Sequence, residues 1–282
     1  MNLSERIKTY YEDRYKTKMM RGAITFIRLD GKSFSKFTKG LKKPFDEGFS
    51  EDMDMTAKFL CENIQGAKFA YTQSDEISVV LTDYDTIETQ AWFDYEVNKI
   101  ISISASLATG RFNQLRMYRY FAGPENNIVG EKDKTIGEHF NVGVNLEDVR
   151  DDIASFTNYL PLNDKLGFFD ARPFQVPNVE EMVNTLIWRQ QDCTRNSISM
   201  AATELLGHSA TMGKSGAEKQ EMMFAEKGIN WNDYKTKFKR GSVIKKVQVE
   251  EKGVMRSRWI VDDNIPIFTA DKDYLRQLVP KI

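Results

Sequence analysis

Two stretches decide how this chain folds: Ala23-Ile24-Thr25-Phe26-Ile27-Arg28-Leu29-Asp30-Gly31 and Tyr71-Thr72-Gln73-Ser74-Asp75-Glu76-Ile77-Ser78-Val79-Val80-Leu81. In the first, β-branched and aromatic residues run into Asp-Gly, the composition of a strand that ends in a turn. In the second, a turn-prone Gln-Ser-Asp separates two apolar runs, which reads as two strands and a tight connection. If the two stretches lie side by side, the carboxylates of Asp30 and Asp75 converge. A pair of carboxylates beside substrate phosphates is what Mg²⁺ needs, because this cation keeps several waters and takes only one or two protein ligands. The pair therefore points to phosphoryl or nucleotidyl transfer. A strand-ending turn also favours Asp and Gly for backbone reasons alone, and these residues by themselves leave that alternative open.

Outward from these strands the pattern is regular. Residues 4–16 read as a charged helix, and 22–29 as the first strand, followed by a basic loop ending at Lys43-Pro44. Phe49, Met53, Ala57, Leu60 and Ile64 recur at helical spacing over 46–64. Strands at 68–72 and 76–82 precede a helix over 87–108 that ends near Gly110. A strand at 168–174 completes the order β-α-β-β-α-β, an α+β ferredoxin-like arrangement in which the first and third strands are neighbours. The interval 113–167, with one short helix near 147–158, is an inserted loop region. From 178 onward the pattern is mainly helical, over 179–206 and 215–228, with a hairpin formed by 242–250 and 254–262. Two parts are expected, a palm-like catalytic part (1–177) and a helical and hairpin part (178–282) that binds RNA or nucleotide.

The 282 residues are 41% apolar and 29% charged, normal for a globular protein, and 40 basic against 41 acidic side chains exclude a uniformly basic nucleic-acid binder. Basic residues cluster at Lys32, Lys36, Lys39, Lys42 and Lys43, and again at Lys235, Lys237, Lys239, Arg240, Lys245 and Lys246. Such clusters build either a phosphate-binding face or ordinary solvated surface. Two cysteines and two histidines are too few for a disulfide framework, a zinc cluster or a histidine-rich metal site. No stretch has the length and apolarity of a membrane span, and Met1-Asn2-Leu3-Ser4-Glu5-Arg6 lacks a signal peptide's apolar segment, so a cytoplasmic location is expected. Gly207-His208-Ser209-Ala210-Thr211-Met212-Gly213-Lys214-Ser215 is one residue too long for a P-loop and follows a helix, which makes it an interhelical loop.

Several motifs in one order carry a resemblance. Arg28-Leu29-Asp30-Gly31-Lys32-Ser33-Phe34, Lys43-Pro44-Phe45-Asp46, Tyr71-Thr72-Gln73-Ser74-Asp75-Glu76, Trp188-Arg189-Gln190-Gln191-Asp192 and Gly228-Ile229-Asn230-Trp231-Asn232 are similar to those of the tRNA-His guanylyltransferase family. The likeness covers about 5–245. It implies a polymerase-like palm that works 3′ to 5′ on the 5′ end of tRNA, with ATP, GTP or other nucleoside triphosphates as substrates. It further implies that Asp30, the Gly31 carbonyl and Asp75 hold two Mg²⁺ ions roughly 4 Å apart, with Glu76 assisting. Lys32, Ser33, Phe34, Lys43, Ser74 and Lys99 would contact nucleotide, the backbone of 31–34 cradling a triphosphate. Arg189, Arg195, Lys237, Lys239 and Arg240 would contact RNA, whereas a tryptophan such as Trp188 on an amphipathic helix belongs more often to the core. Homotetramers are implied as well. One departure matters: Thr194-Arg195-Asn196-Ser197-Ile198-Ser199-Met200 stands where the eukaryotic branch has a histidine motif linked to tRNA-His selection. In this the chain resembles the bacterial guanylyltransferase-like proteins, for which templated repair of 5′-truncated tRNAs is implied. A tRNA-His-specific guanylyltransferase is the first competing reading, followed by a palm-fold nucleotide cyclase, a 5′ to 3′ polymerase and a non-catalytic tRNA-binding protein.

Overall fold

The computed structural model describes residues 1–122, 166–251 and 253–280. Its frame is an antiparallel sheet in which β1 (Ile24–Gly31) lies between β3 and β4; between β1 and the hairpin β2 (Ala67–Gln73) and β3 (Glu76–Leu81) runs helix α1 (Glu47–Asn63). Helix α2 (Val97–Ala122) then leads toward β4 (Phe169–Val176). The order β4-β1-β3-β2 is that of the expected ferredoxin-like unit, with the first and third strands adjacent.

Alternation along β1 sends its two sets of side chains to different layers. Ile27 and Leu29 are fully buried with Met53, Ala57 and Leu60 of α1 and Ile100 and Phe112 of α2. Ile24 and Phe26 face the other way, against Met182, Val183 and Leu186 of α3 (Val179–Leu206). Each such aliphatic side chain contributes about 1.5–3 kcal/mol through burial. Asp46 caps α1 by accepting the Phe49 N–H at 2.7 Å. Residues 3–15 are helical as expected and contain no buried residue.

The second long helix is displaced from its expected span. Residues 92–95 form a tight turn with Phe93, Asp94 and Tyr95 in the left-handed region, which a right-handed helix does not include. This turn bonds to the N-terminal segment instead, since Met19 N–H donates to the Tyr95 carbonyl and Val97 N–H to that of Thr17. At the far end α2 runs through Gly110 to Ala122. The usual penalty of about 1 kcal/mol for a helical glycine is outweighed by burial of Ala108 and Phe112 on either side of it. The interval 113–167 thus begins inside a helix, and the short helix expected near 147–158 lies outside the described residues.

After α3, a single helical turn at His208–Thr211 precedes α4 (Gly216–Lys227), whose Ser215 forms a capping box, so 207–215 joins two long helices as the sequence indicated but is itself partly helical. The C-terminal hairpin, β5 (Ser242–Glu251) and β6 (Val254–Asp262), extends the first sheet: β5 pairs with β2 to make β4-β1-β3-β2-β5-β6. Among the described residues, no helix is long and apolar enough to cross a membrane.

The chain enters β5 through Gly241, whose φ is +79°. An added Cβ would stand 2.4 Å from the Thr72 carbonyl oxygen and 2.8 Å from the Tyr71 ring. Gly241→Ala is therefore expected to destabilise the protein by about 2–4 kcal/mol through backbone strain and overpacking, read as a lower urea midpoint. An unchanged midpoint would contradict this close approach.

Candidate active site

Asp30 and Asp75 meet because two antiparallel strands end together. Asp30 faces Glu76 in the β1–β3 register, and the Gly31 N–H donates to the Asp75 carbonyl at 3.0 Å. The β2–β3 connection is only Ser74 and Asp75, with Ser74 left-handed at φ 50°. Burial raises the pKa of the Asp75 carboxyl, and the negative charge of Asp30 raises it further. Two carboxylates that repel each other at a strand end form an electrostatic hollow that a cation relieves. Among the described residues no group of three or more His, Cys, Asp or Glu side chains encloses a metal. The groups here that could hold a metal are the two carboxylates and the Gly31 carbonyl, a set that would suit Mg²⁺ with water and phosphate completing its shell.

Gly31 has a second role. A Cβ there would fall 2.5 Å from the Phe34 ring, which folds back into a cluster with Phe37, Phe49, Phe112 and Phe169. The Phe34 side chain is therefore core, leaving only its backbone for a ligand. The N–H groups of Gly31 and Lys32 donate to the carbonyls of Asp75 and Phe168, so the expected cradle narrows to Ser33 and Phe34. The Lys32 side chain is exposed.

Behind the turn, Glu76 is buried, and it forms a 2.8 Å ion pair with Arg189 and a looser 3.9 Å contact with Arg28. Burial raises the Glu76 pKa and both guanidinium groups oppose the shift. Arg189 is itself buried and also bonds Asp192 at 2.6 Å, so the expected RNA contact is instead the counter-ion of Glu76. Trp188, expected in the core, is 49% exposed. Arg28 Nε, Gln73 Oε1, Glu76 Oε1 and Arg189 Nε are buried without a well-aligned hydrogen bond, and all lie between this end of the sheet and α3. Glu76 Oε1 and Arg189 Nε are each other's 2.8 Å ion-pair partners, which leaves Arg28 Nε and Gln73 Oε1 as the buried polar atoms able to take a further partner.

A cleft opens on the β2 side of the turn, lined by Lys43, Asp46, Gln73, Ser74, Asn196 and Lys237 among others. It brings the expected residues Lys43 and Ser74 together and adds Gln73 and Asn196, for which the sequence carried no clear signal. Lys237 and Lys239, expected on the RNA-binding surface, are each 8% exposed. Lys237 pairs with Glu47, and Lys239 donates to the Asn232 carbonyl, so both serve as internal struts. Arg195 is exposed and paired with Asp192, while Arg240 and Arg195 line a second cleft on the outer side of α3. Lys99 is not at this site: it pairs with Glu96 at the start of α2, beside the Thr25 end of β1, and five residue steps along the strand, or about 17 Å, separate Thr25 from Asp30.

The sequence profile of Thg1, tRNAHis guanylyltransferase, matches residues 4–177. This chain belongs to the Thg1 family. The family's members are nucleotidyltransferases that act on tRNA. The chain is similar to a bacterial Thg1-like protein solved in complex with ATP, at 36% identity over the whole of both chains and a TM-score of 0.75. It is also similar to one solved in complex with GTP, at 34% identity over 98% of each chain and a TM-score of 0.72. The tRNA(His) guanylyltransferase of Saccharomyces cerevisiae is 26% identical over 232 residues, covering 77% of this chain and 80% of the yeast protein.

On α1, next to the cleft residue Lys237, this Thg1 family member carries a further titrating group. Asp54 is buried beside Lys237 and Ser242, and desolvation pushes its pKa up to about 7. A carboxyl raised in this way adds stability below its ordinary range near pH 4, and the contribution is lost as pH rises through about 7. Asp54→Asn removes the ionisation. Its stability relative to the parent should therefore improve by about 2–3 kcal/mol between pH 5 and pH 8, measured by urea denaturation at both values. A pH-independent difference would contradict the assignment.

Proposed function

We propose that this protein is a Mg²⁺-dependent 3′ to 5′ nucleotidyltransferase that extends the 5′ end of tRNA against the opposite strand, repairing 5′-truncated tRNAs. The observation that carries the reading is the junction of Asp30, Gly31 and Asp75 at the end of two paired strands, beside a cleft that contains Lys43 and Ser74. Asp30, the Gly31 carbonyl and Asp75 would hold two Mg²⁺ ions, which when bound supply activation of the attacking 3′-hydroxyl and neutralisation of the leaving pyrophosphate. Lys43, Lys32 and the Ser33 and Phe34 N–H groups would bind the triphosphate, Ser74 would orient it, and Glu76 would hold Arg189 and Arg28 in position behind the carboxylates. ATP, GTP and other nucleoside triphosphates are the substrates of this reading, supported by the ATP and GTP complexes of the bacterial relatives.

Templated repair is favoured over tRNA-His-specific addition by Thr194. It stands where the eukaryotic branch has its histidine motif, and its hydroxyl is spent on the Lys239 carbonyl at 3.0 Å. In this reading residues 1–177 carry the chemistry, while 178–282 hold RNA and nucleotide through Arg195 and Arg240. The two parts divide the work within one continuous sheet. Assembly into a cytoplasmic homotetramer fits residues 1–16, where Leu3, Ile7, Tyr10, Tyr11 and Tyr15 are all exposed.

Two experiments test the proposal. Asp30→Asn and Asp75→Asn should each reduce nucleotide addition at least about a thousandfold while RNA binding persists. In chelator, Asp75→Asn should melt no lower than the parent, because it removes a like-charge contact, and only the parent should gain melting temperature from Mg²⁺. Substantial addition by either variant would sink the metal assignment. Separately, tRNAs with different anticodons that lack one 5′ nucleotide should each receive the nucleotide complementary to the template base, with full-length tRNA-His the poorer substrate in kcat/KM. Addition of guanosine irrespective of the opposite base would overturn the repair reading.

A further inference from the structure

The carboxylate turn has two flanks, and they differ in shape and chemistry. On the β2 flank lies the walled cleft with Lys43 and Ser74. On the β4 flank, Arg28 shares a strand face with Asp30, two residues and about 7 Å away. Arg28 Nε is buried without a hydrogen bond, and its acidic neighbour Glu76, 3.9 Å away, is matched by Arg189 at 2.8 Å. Arg172 stands directly opposite Arg28 in the β1–β4 register and reaches along the strand end, 3.2 Å from Asp170 and 3.9 Å from Asp30, with its side chain 55% exposed. Trp188 closes the group from α3, its half-exposed ring 5.9 Å from the Arg28 guanidinium and 4.2 Å from that of Arg189.

We propose that Arg28, Arg172 and Trp188 form the seat for the 5′-terminal phosphate and base of the RNA strand. Arg28 has only a loose 3.9 Å contact with Glu76, and Arg172 keeps a half-exposed guanidinium beside Asp170; such forks are suited to phosphate, and an exposed tryptophan with arginine against it is suited to a stacked base. Shape assigns the ligand. Among the described residues β4 is the outer strand of the sheet, so a polymer seated here continues outward, whereas the β2 flank is walled by residues 41–46 and by Lys237 and Phe238, which fits a mononucleotide. The division of flanks rests on the nucleotide-addition reading above; the phosphate seat itself is tested apart from it.

The test uses the full chain and one stem-loop RNA prepared with either a 5′-monophosphate or a 5′-hydroxyl. The parent should bind the phosphorylated form about tenfold more tightly, the worth of one charge-assisted hydrogen-bonded contact. Arg28→Gln and Arg172→Gln should each reduce that preference. Because Arg28 is partly buried, Arg28→Lys serves as the fold-preserving variant and should retain part of it. Trp188 is the most exposed of the four tryptophans, so RNA should quench intrinsic fluorescence in the parent and much less in Trp188→Phe. In addition assays Arg172→Gln should raise KM for RNA several-fold and leave KM for the nucleotide unchanged. A parent that does not distinguish the two RNA ends, a preference retained in both glutamine variants, or a rise confined to the nucleotide KM would each overturn the seat. If the parent prefers the phosphorylated end yet adds no nucleotide, the seat stands and the nucleotide-addition reading fails.

Discussion

The hydrogen bond from the Gly31 N–H to the Asp75 carbonyl ties the end of β1 to the turn between β2 and β3, and the geometry around the two carboxylates depends on it. It brings together residues that share no local sequence, and it does so through backbone, so the carboxylate oxygens remain available. The same contact forces two negative charges close to each other. Protein interiors ordinarily avoid this arrangement, since each charge raises the cost of ionising the other. The fold tolerates it because Phe34 and its aromatic neighbours anchor the backbone from the opposite face.

Much of this frame was legible in the chain. The strand at Ile24–Gly31, the β2–β3 hairpin, whose turn is one residue shorter than the expected Gln73-Ser74-Asp75, and the helix over Val179–Leu206 follow from β-branched runs, turn residues and helical periodicity, which are local signals. The displaced start of α2 was not legible, because a left-handed turn at Phe93–Tyr95 is held by bonds to residues 17 and 19, far away in sequence. Nor was the attachment of β5 to β2, which depends on which sheet edge is free.

Among the site residues, those named by the turn came together, and those named by charge often did not. A lysine-rich run looks the same whether its ammonium groups face water or are spent on oxygen atoms of the protein itself. Lys237 and Lys239 are of the second kind because Glu47 and the Asn232 carbonyl lie within reach. Arg28 was the opposite case. Alternation along β1 puts it on the same face as Asp30, a signal present in the strand pattern itself. Arg189 was read from its motif and its charge, neither of which tells which way a side chain faces, and its inward orientation follows from Glu76 lying beneath it.

The union of β2 with β5 also sets an order of assembly. Both carboxylates and all of β1, β2 and β3 leave the ribosome early, but Tyr71 waits for Arg240 before its hydroxyl is bonded, and the wall of the cleft waits for Lys237. Contacts that span so much chain close late, because the loop entropy must be overcome before they form. The nascent protein therefore carries its paired acids well before the wall of the cleft beside them can close.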